Sequence, residues 1–307
     1  MNRLFKIVGS LVLMFSLFAC DDKGSGGAEI RDYSEQFAAD NTAIENYLKT
    51  HYLEVTHNAH GDVEDMTITA IPAGGSQVSI WDQTTYPLLN KTVKLHNILY
   101  KVYYLKTAAG TGDAPCGVDK LYTSYRGTLL TGYQFDYAPN ATEISLVGAI
   151  KGWEFIFPEF RRGVTVENVN EAGVPDGTLR HEDYGAGVMF LPSGLGYYSQ
   201  YVGSIPEYSP LVFTFKLYDI QFLDQDADGV LSRYEYGFDA NYNLIDTDGD
   251  GIADIFDVDD DNDGVPTKEE IRIPGTINQY TYDLIPDCSG NNTNPARLRK
   301  HLDATCH

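Results

Sequence analysis

The stretch LYTSYRGTLLTGYQFDYAPNATEISLVGAIKGW, residues 121–153, decides the fold. Leu121, Thr123, Tyr125, Gly127 and Leu129 fall on one face of a strand, and Tyr122, Ser124, Arg126 and Thr128 on the other. Thr131-Gly132 predicts a tight turn, because Gly tolerates positive φ. A second strand sets Phe135 beside Asp136. Pro139-Asn140 then predicts another turn, followed by a short apolar strand with Ile144 and Leu146. At Ala149-Ile150-Lys151-Gly152-Trp153 the alternation stops and a helix can begin. Tyr125, Phe135, Tyr137 and Trp153, with the carboxylate of Asp136, are thereby expected to converge on one short helix start.

Downstream, PSGLGYY (192–198) and IPEYSPLVF (205–213) supply more apolar and aromatic wall. Residues 211–220 alternate as a closing strand, with Leu211, Phe213, Phe215 and Leu217 on one side. Upstream, residues 99–106 form a Tyr- and Val-rich strand that begins the same sheet. The chain of 307 residues is 43% hydrophobic, enough for one or two domains with real cores. Its formal charge of −22 argues against nucleic acid as a partner, since phosphates would be repelled. The acid is concentrated: residues 224–270 carry 16 Asp or Glu against only Arg233 and Lys268. That locality points to bound cations rather than to general solubility.

The pieces SYRGTLLTGYQFD (124–136), IKGWEF (150–155), PSGLGYY and IPEYSPLVFTFKLYDI (205–220), in this order, resemble the FKBP-type peptidyl-prolyl isomerase family. The resemblance implies an α+β fold: an FKBP-like antiparallel sheet wrapped around a short helix, with an N-terminal helical extension. The isomerase domain would span 98–222, after an extension over 30–97. It also implies roles. Trp153 would floor the pocket under a proline ring. Tyr125, Phe135 and Phe213 would wall it, with Ile150 and Ile205 at the rim. The Ile150 N–H would hold a substrate carbonyl, Tyr197 would donate its hydroxyl to the ligand backbone, and Asp136 would be a buried acceptor oriented by neighbouring hydroxyls. There are departures from the family pattern. Ala149 stands where valine is usual, Ile144 where phenylalanine is usual, and Tyr198 where glycine follows the tyrosine. Phe157-Pro158 interrupts the helix. An insertion over 164–187, with Gly173, Pro175 and Asp176-Gly177, predicts a hairpin or flap beside the pocket and resembles the membrane-lipoprotein branch that includes gliding-motility-associated isomerases.

The chemistry such a pocket would perform is undemanding in bond-making. Rotation about X–Pro meets a barrier of about 18–20 kcal/mol because it breaks amide resonance. No nucleophile or metal is required, only a site that fits the twisted amide better than the planar one. A dry pocket helps, since the planar amide is the more polar form. Raising a rate of roughly 0.01 per second to about 100 per second takes about 5.4 kcal/mol.

Residues 1–19 form a targeting segment. Arg3 and Lys6 precede a short apolar run, below the roughly 20 residues of a membrane-spanning helix, that ends Leu17-Phe18-Ala19-Cys20. This resembles a bacterial lipobox, so Cys20 would carry acyl chains, palmitate among them, that anchor the chain to a membrane. Residues 20–29 would be a flexible tether. The mature chain is then expected in the bacterial cell envelope, at the outer membrane, on its periplasmic or surface face.

From residue 30 to about 53 a stripe of Ile30, Tyr33, Phe37, Ile44 and Leu48 predicts a helix, with a kink or new start at Asp40-Asn41. The resemblance implies such an extension in homodimers; packing on its own domain is the alternative. Over 63–93, Met66, Ile68 and Ala70 alternate, and Val78 and Ile80 follow a Gly-Gly turn, which predicts a hairpin. His51, His57, His60 and His96 match no metal-ligand spacing.

A boundary falls near Leu223, where an acidic grammar starts. Asp224, Asp226, Asp228, Gly229 and Glu235 hold positions 1, 3, 5, 6 and 12 of a calcium loop, with Leu231 at the apolar position 8. Asp246, Asp248, Asp250, Gly251, Asp254 and Asp257 repeat it, as do Asp259, Asp261, Asp263, Gly264 and Glu270. The carbonyls of Val230, Ile252 and Val265 take position 7. Ca²⁺ is the cofactor these oxygens suit, in a structural role. The second and third loops are too close for full paired helices, and the segment resembles thrombospondin type 3 repeats. Region 223–307 is therefore expected to be an irregular calcium-repeat module with a tail. Cys288 and Cys306 bracket a polar loop and could pair, leaving Cys116 over. Two function classes remain: an envelope prolyl isomerase acting on proline-containing polypeptides during folding of exported proteins, and a non-catalytic lipoprotein that captures proline peptides or organises the surface.

Overall fold

Alternation along β4 (Ile98–Ala108) sends its side chains into two separate dry layers. Tyr100, Val102 and Tyr104 enter one buried cluster, while Tyr103 and Leu105 enter another. The same split recurs on β9 (Gly185–Leu191), where Met189 and Leu191 go one way and Ala186, Val188 and Phe190 the other. The computed structural model describes residues 29–170 and 173–306. The expected signal peptide, Cys20 and nearly all of the tether lie outside the described residues. From Asp32 onward the chain is one compact unit.

The fold is mixed α and β, with antiparallel sheets and few helices. Six strands are ordered β3-β4-β9-β10-β5-β6, all neighbours antiparallel, where β3 is Leu89–Leu95, β5 Lys120–Leu129, β6 Gln134–Ser145 and β10 Leu211–Gln221. The sheet therefore begins before the expected boundary at 98, with β3. Pro139-Asn140 is not a turn between strands. It lies within β6 at a register shift, where Thr123 pairs Thr142 but Tyr125 pairs Ala138. A Pro is tolerated there because β6 is the edge strand.

One face of the sheet is covered by α2 (Lys151–Ile156) and the 3₁₀ turn Phe157–Glu159, which bury Trp153, Ile156 and Phe157 with Phe160 against Phe213 and Phe215. The other face is covered by α1 (Tyr33–Thr50) and the hairpin β1 (His51–His57) with β2 (Val63–Ala70). Here the structure corrects the sequence reading. The helix stops at Thr50, and His51, Tyr52 and Leu53 are strand; β-branched and aromatic residues take over there. The hairpin partner of residues 63–70 is the preceding strand 51–57, and Val78 and Ile80 lie outside any strand. The Ile80 N–H instead donates to His51 O (2.8 Å) and the Trp81 N–H to Leu48 O (3.0 Å), closing the end of α1. Ile44, Tyr47 and Leu48 pack on Val188, Phe190 and Val212, whereas Ile30, expected in the same stripe, is exposed.

α1 runs through as one helix, with no new start at Asp40. Its carboxylate is a buried tertiary acceptor, taking the Ser193 N–H (2.7 Å), the Ser193 hydroxyl (2.6 Å) and the Gln36 amide (2.6 Å). That anchors the 192–198 loop from the opposite helix. Tyr198, standing where glycine is usual, has φ +51°. It is held in this left-handed conformation by stacking on Tyr33 of α1 (4.0 Å between centroids), an edge contact to Tyr208 and burial.

The insertion forms the hairpin β7 (Val164–Val169) and β8 (Pro175–Glu182). Residues 185–187, expected in it, belong to β9. His181 packs on Tyr122 (5.6 Å) and Tyr218 (5.4 Å), on the face of β5 opposite Tyr125.

Removing the Asp40 acceptor strips charge-assisted bonds from a buried hydroxyl and N–H. Asp40→Ala is expected to cost about 1.5–3 kcal/mol in urea unfolding, with m unchanged.

Candidate functional site

The helix start at Ile150 is extended (φ −62°, ψ 141°) and has no side-chain cap. The Trp153 N–H closes the first turn on Ile150 O (2.9 Å). This turns the indole of Trp153, 5% exposed, into the α2 face of the sheet. Around it the rings stand edge to face: Tyr125 at 5.0 Å and 81°, Phe213 at 5.2 Å and 87°. Phe135 meets Phe213 at 5.5 Å and 84°. Such pairs add about 0.5–1.5 kcal/mol each beyond their buried area, and they fix ring orientation. Gly127 makes the cage possible. A Cβ there would lie 2.5 Å from Phe135 Cε2 and 2.9 Å from Phe213 Cε1.

The cage opens as a cavity of about 320 Å³. Tyr125, Phe135, Asp136, Ile150, Trp153, Tyr197, Ile205 and Phe213 all line it, so the structure brings the eight expected residues together. Ile144 and Ala149 line it as well. Sequence reasoning missed Val202, Gly203 and Ser204, which form a tight turn with Val202 and Ile205 exchanging backbone bonds (3.1 and 2.8 Å). The Gly-Ser pair between two apolar residues was the available signal. Tyr137 is outside the cage; it turns to the other side of β6, under the Arg126 guanidinium (5.1 Å). No described residue of the β7–β8 hairpin lines the cavity, because that hairpin packs on the opposite face of β5.

Asp136 is exposed rather than buried, since β6 is the edge strand. The Tyr125 hydroxyl donates to its Oδ2 (2.7 Å), and the Tyr137 N–H donates to Oδ1 (2.8 Å). Burial first, then the bond to Asp136, pushes the Tyr125 phenol upward, so it stays a donor. Burial and the Asp136 charge also raise Tyr197. Among the described residues nothing accepts from the Trp153 indole N–H, which is buried, and no hydrogen bond uses the Ile150 N–H. The site is thus an apolar hollow edged by polar donors.

The acidic segment repeats one backbone device three times. The Gly at position 6 donates its N–H to the position 1 carboxylate: Gly229 to Asp224 (3.1 Å), Gly251 to Asp246 (3.0 Å), Gly264 to Asp259 (3.2 Å). Each of these glycines has φ between +91° and +102°. Position 7 donates to position 5 in every loop, Val230, Ile252 and Val265 each at 2.7 Å. Carboxylate oxygens gather within 4.8 Å in Asp224, Asp226 and Asp228, in Asp246, Asp248 and Asp250, and in Asp259, Asp261 and Asp263. Glu235 groups with Asp228 and with Asp260, a residue the sequence reading left out. Asp254 and Asp257 do not join the second group. Asp254 instead accepts from the Thr247 N–H and hydroxyl (2.7 Å each), and Asp257 accepts from the Asp259 N–H (3.0 Å). Glu270 stands outside the third group, yet both its oxygens are buried without a partner. Burial and neighbouring carboxylates push Asp226 up to about 6, Asp228 to about 7, Glu270 to about 8, Asp260 to about 9 and Glu235 to about 10. These oxygens fit a hard divalent cation such as Ca²⁺, which accepts six to eight of them.

The two regions touch directly. The Tyr236 hydroxyl donates to Glu154 Oε1 (2.9 Å), the Gln225 amide donates to Val118 O (3.1 Å), and Phe238 packs on Phe155. Cys288 and Cys306 are joined, with Cα atoms 5.3 Å apart, and Cys116 is free.

Residues 225–295 match the family model described as BamM C-terminal. Among solved structures the chain is similar to FkpA from Escherichia coli, at 25% identity and a TM-score of 0.32, over 42% of this chain and 51% of that one. It is also similar to a peptidyl-prolyl cis-trans isomerase from Pseudomonas syringae pv. tomato, at 14% identity and a TM-score of 0.37, over 62% and 97%. The chain thus spans about half the length of the first of these structures. Curated proteins give no match.

Gly127→Ala pushes a methyl group into the cage. It is expected to cost about 1–3 kcal/mol in denaturant unfolding and to shift the fluorescence of Trp153, measured in a Trp81→Phe background.

Proposed function

We propose that this chain is a peptidyl-prolyl cis-trans isomerase of the FKBP type. The observation that carries the reading is the single hollow in which Trp153 is met edge-on by Tyr125 and Phe213, with Phe135, Ile150, Ile205 and Tyr197 around it. A prolyl ring would lie on the indole. The walls would strip water from the X–Pro amide, favouring the twisted, less polar form over the planar one. The Ile150 N–H would hold the preceding carbonyl and the Tyr197 hydroxyl the ligand backbone. Asp136 would act through Tyr125, accepting the hydroxyl that orients that wall.

The acidic region would be a structural calcium module that stiffens the C-terminal third. With lipid on Cys20, the chain would work at the outer membrane on proline-containing segments of exported proteins.

A proline-peptide assay is expected to show acceleration over the uncatalysed rate. Trp153→Ala should lower kcat/KM at least tenfold, about 1.4 kcal/mol of transition-state stabilisation. No acceleration, together with peptide binding that Trp153→Ala abolishes, would leave capture without turnover. Unchanged behaviour of the variant in both assays discards the site.

Calcium at about one hundred times its dissociation constant is expected to add about 2.7 kcal/mol per site. Chelation should therefore lower the melting temperature and open residues 224–270 to protease. A chelated protein with unaltered melting and cleavage would count against the module.

A further inference from the structure

Position 2 of a calcium loop points away from its own ring of odd-numbered ligands, and in this chain it serves contacts outside that ring. Gln225 reaches Val118 O, and the Thr247 hydroxyl donates to Asp254 Oδ2 (2.7 Å). In the third loop the residue is Asp260. It is 1% exposed, and neither carboxylate oxygen has a hydrogen-bond partner. Its oxygens group not with Asp259, Asp261 and Asp263 but with Asp228 and Glu235 of the first loop, all within 4.8 Å. Glu235, 7% exposed, also has both oxygens unpartnered. Asp228, 1% exposed, spends Oδ1 on the Val230 N–H and keeps Oδ2 unpartnered. Asp224 Oδ1 and Asp226 Oδ2 are buried and unpartnered beside them. Among the described residues no Lys, Arg or His forms an ion pair with any of these five. Carboxylates taken out of water and set against one another are strongly unfavourable unless a positive charge lies among them. The donors are all oxygen, with no nitrogen or sulfur, which suits Ca²⁺ and not Zn²⁺.

We propose that Asp260 is a ligand of the ion held by the first loop, so that this site is built from two loops: Asp224, Asp226, Asp228 and Glu235 from one, and Asp260 from the other. The proposal rests on the reading of this region as a calcium module and deepens it. An ion at this site would tie residues 224–235 to residues 259–270, and the first loop would not close on its own. In the linear motif Asp260 is an unused position, which is why spacing does not reveal it.

The test is calorimetric titration of the full chain with CaCl₂ after chelation. Variants Asp260→Asn, Asp260→Glu, Glu235→Gln and Asp261→Asn are compared, with near-UV circular dichroism at saturating calcium reporting the fold. Asp260→Asn and Glu235→Gln are expected to weaken the same class of site tenfold or more. Combining them should weaken it less than the product of the two effects, because both strip one ion. Asp260→Glu should restore a substantial part of the affinity. Asp261→Asn should act on a different site, additively with Asp260→Asn. The proposal is overturned if Asp260→Asn binds calcium at every site as the unaltered chain does. It is equally overturned if the effect of Asp260→Asn adds fully to that of Glu235→Gln, or if Asp260→Glu binds no better than Asp260→Asn. A chain that takes up no calcium at all would remove the module reading itself, an outcome distinct from a working module indifferent to Asp260.

Discussion

The central strands of the six-stranded sheet are dry on both faces, and the placement of its covers follows from that. Strand β9 is buried at all its positions, and β10 beside it buries Phe213 and Phe215 on one side and Val212 on the other. A sheet with two apolar faces needs two covers. The short α2, with its aromatic run, covers one and leaves the cage as the hollow between helix and strands. α1 and the β1–β2 hairpin cover the other. The N-terminal segment is therefore half of the core's packaging. Its Asp40 and Tyr33 reach across to hold the loop that carries Tyr197.

How far the sequence could be read depended on whether the deciding contact was local. The strand alternation of 120–129, the halt at Ile150 and the aromatic spacing are local facts that brought Tyr125, Phe135, Asp136 and Trp153 together; Ile150, Tyr197, Ile205 and Phe213 were added by the family resemblance, and all eight line one cavity. The disulfide between Cys288 and Cys306 was open to the same arithmetic. What escaped was set by pairing at a distance. A charged residue inside an apolar stripe looks like a break in a helix, yet Asp40 is satisfied by Ser193, 153 residues away. The Pro139-Asn140 pair looks like a turn, yet an edge strand absorbs it as a register shift. The family resemblance implied a buried Asp136, but its strand is at the edge of the sheet and the residue is exposed.

The calcium grammar shows the same division. Odd-numbered carboxylates and the position 6 glycine are a local device, and the backbone reproduces it three times with nearly the same distances. Which acid completes each ring is a tertiary matter. Asp254, in register with the motif, is taken by Thr247, while Asp260, out of register, joins Glu235. Spacing counts the ligands a loop can offer to itself, and it is blind to a neighbour leaning in.

The cage region and the acidic region meet at several contacts, one of them just behind the cage floor. Glu235, a carboxylate of the first loop, is followed by Tyr236, whose hydroxyl donates to Glu154; Glu154 is the residue after Trp153. Glu154 is 6% exposed and also pairs with Lys151, so its position is set from both sides. Phe155 on Phe238 adds an apolar contact to the same junction. An element as short as α2, six residues, has little helical stability of its own and takes its position from what packs on it. On its inner side those contacts are the cage and the sheet; on its outer side they come from the chain just past the first acidic loop. The floor of the hollow is thus contacted from behind by the segment that follows the first acidic loop. Gly117 packs against the same pair: a Cβ there would lie 2.3 Å from the Tyr236 hydroxyl and 2.7 Å from Glu154 Cγ.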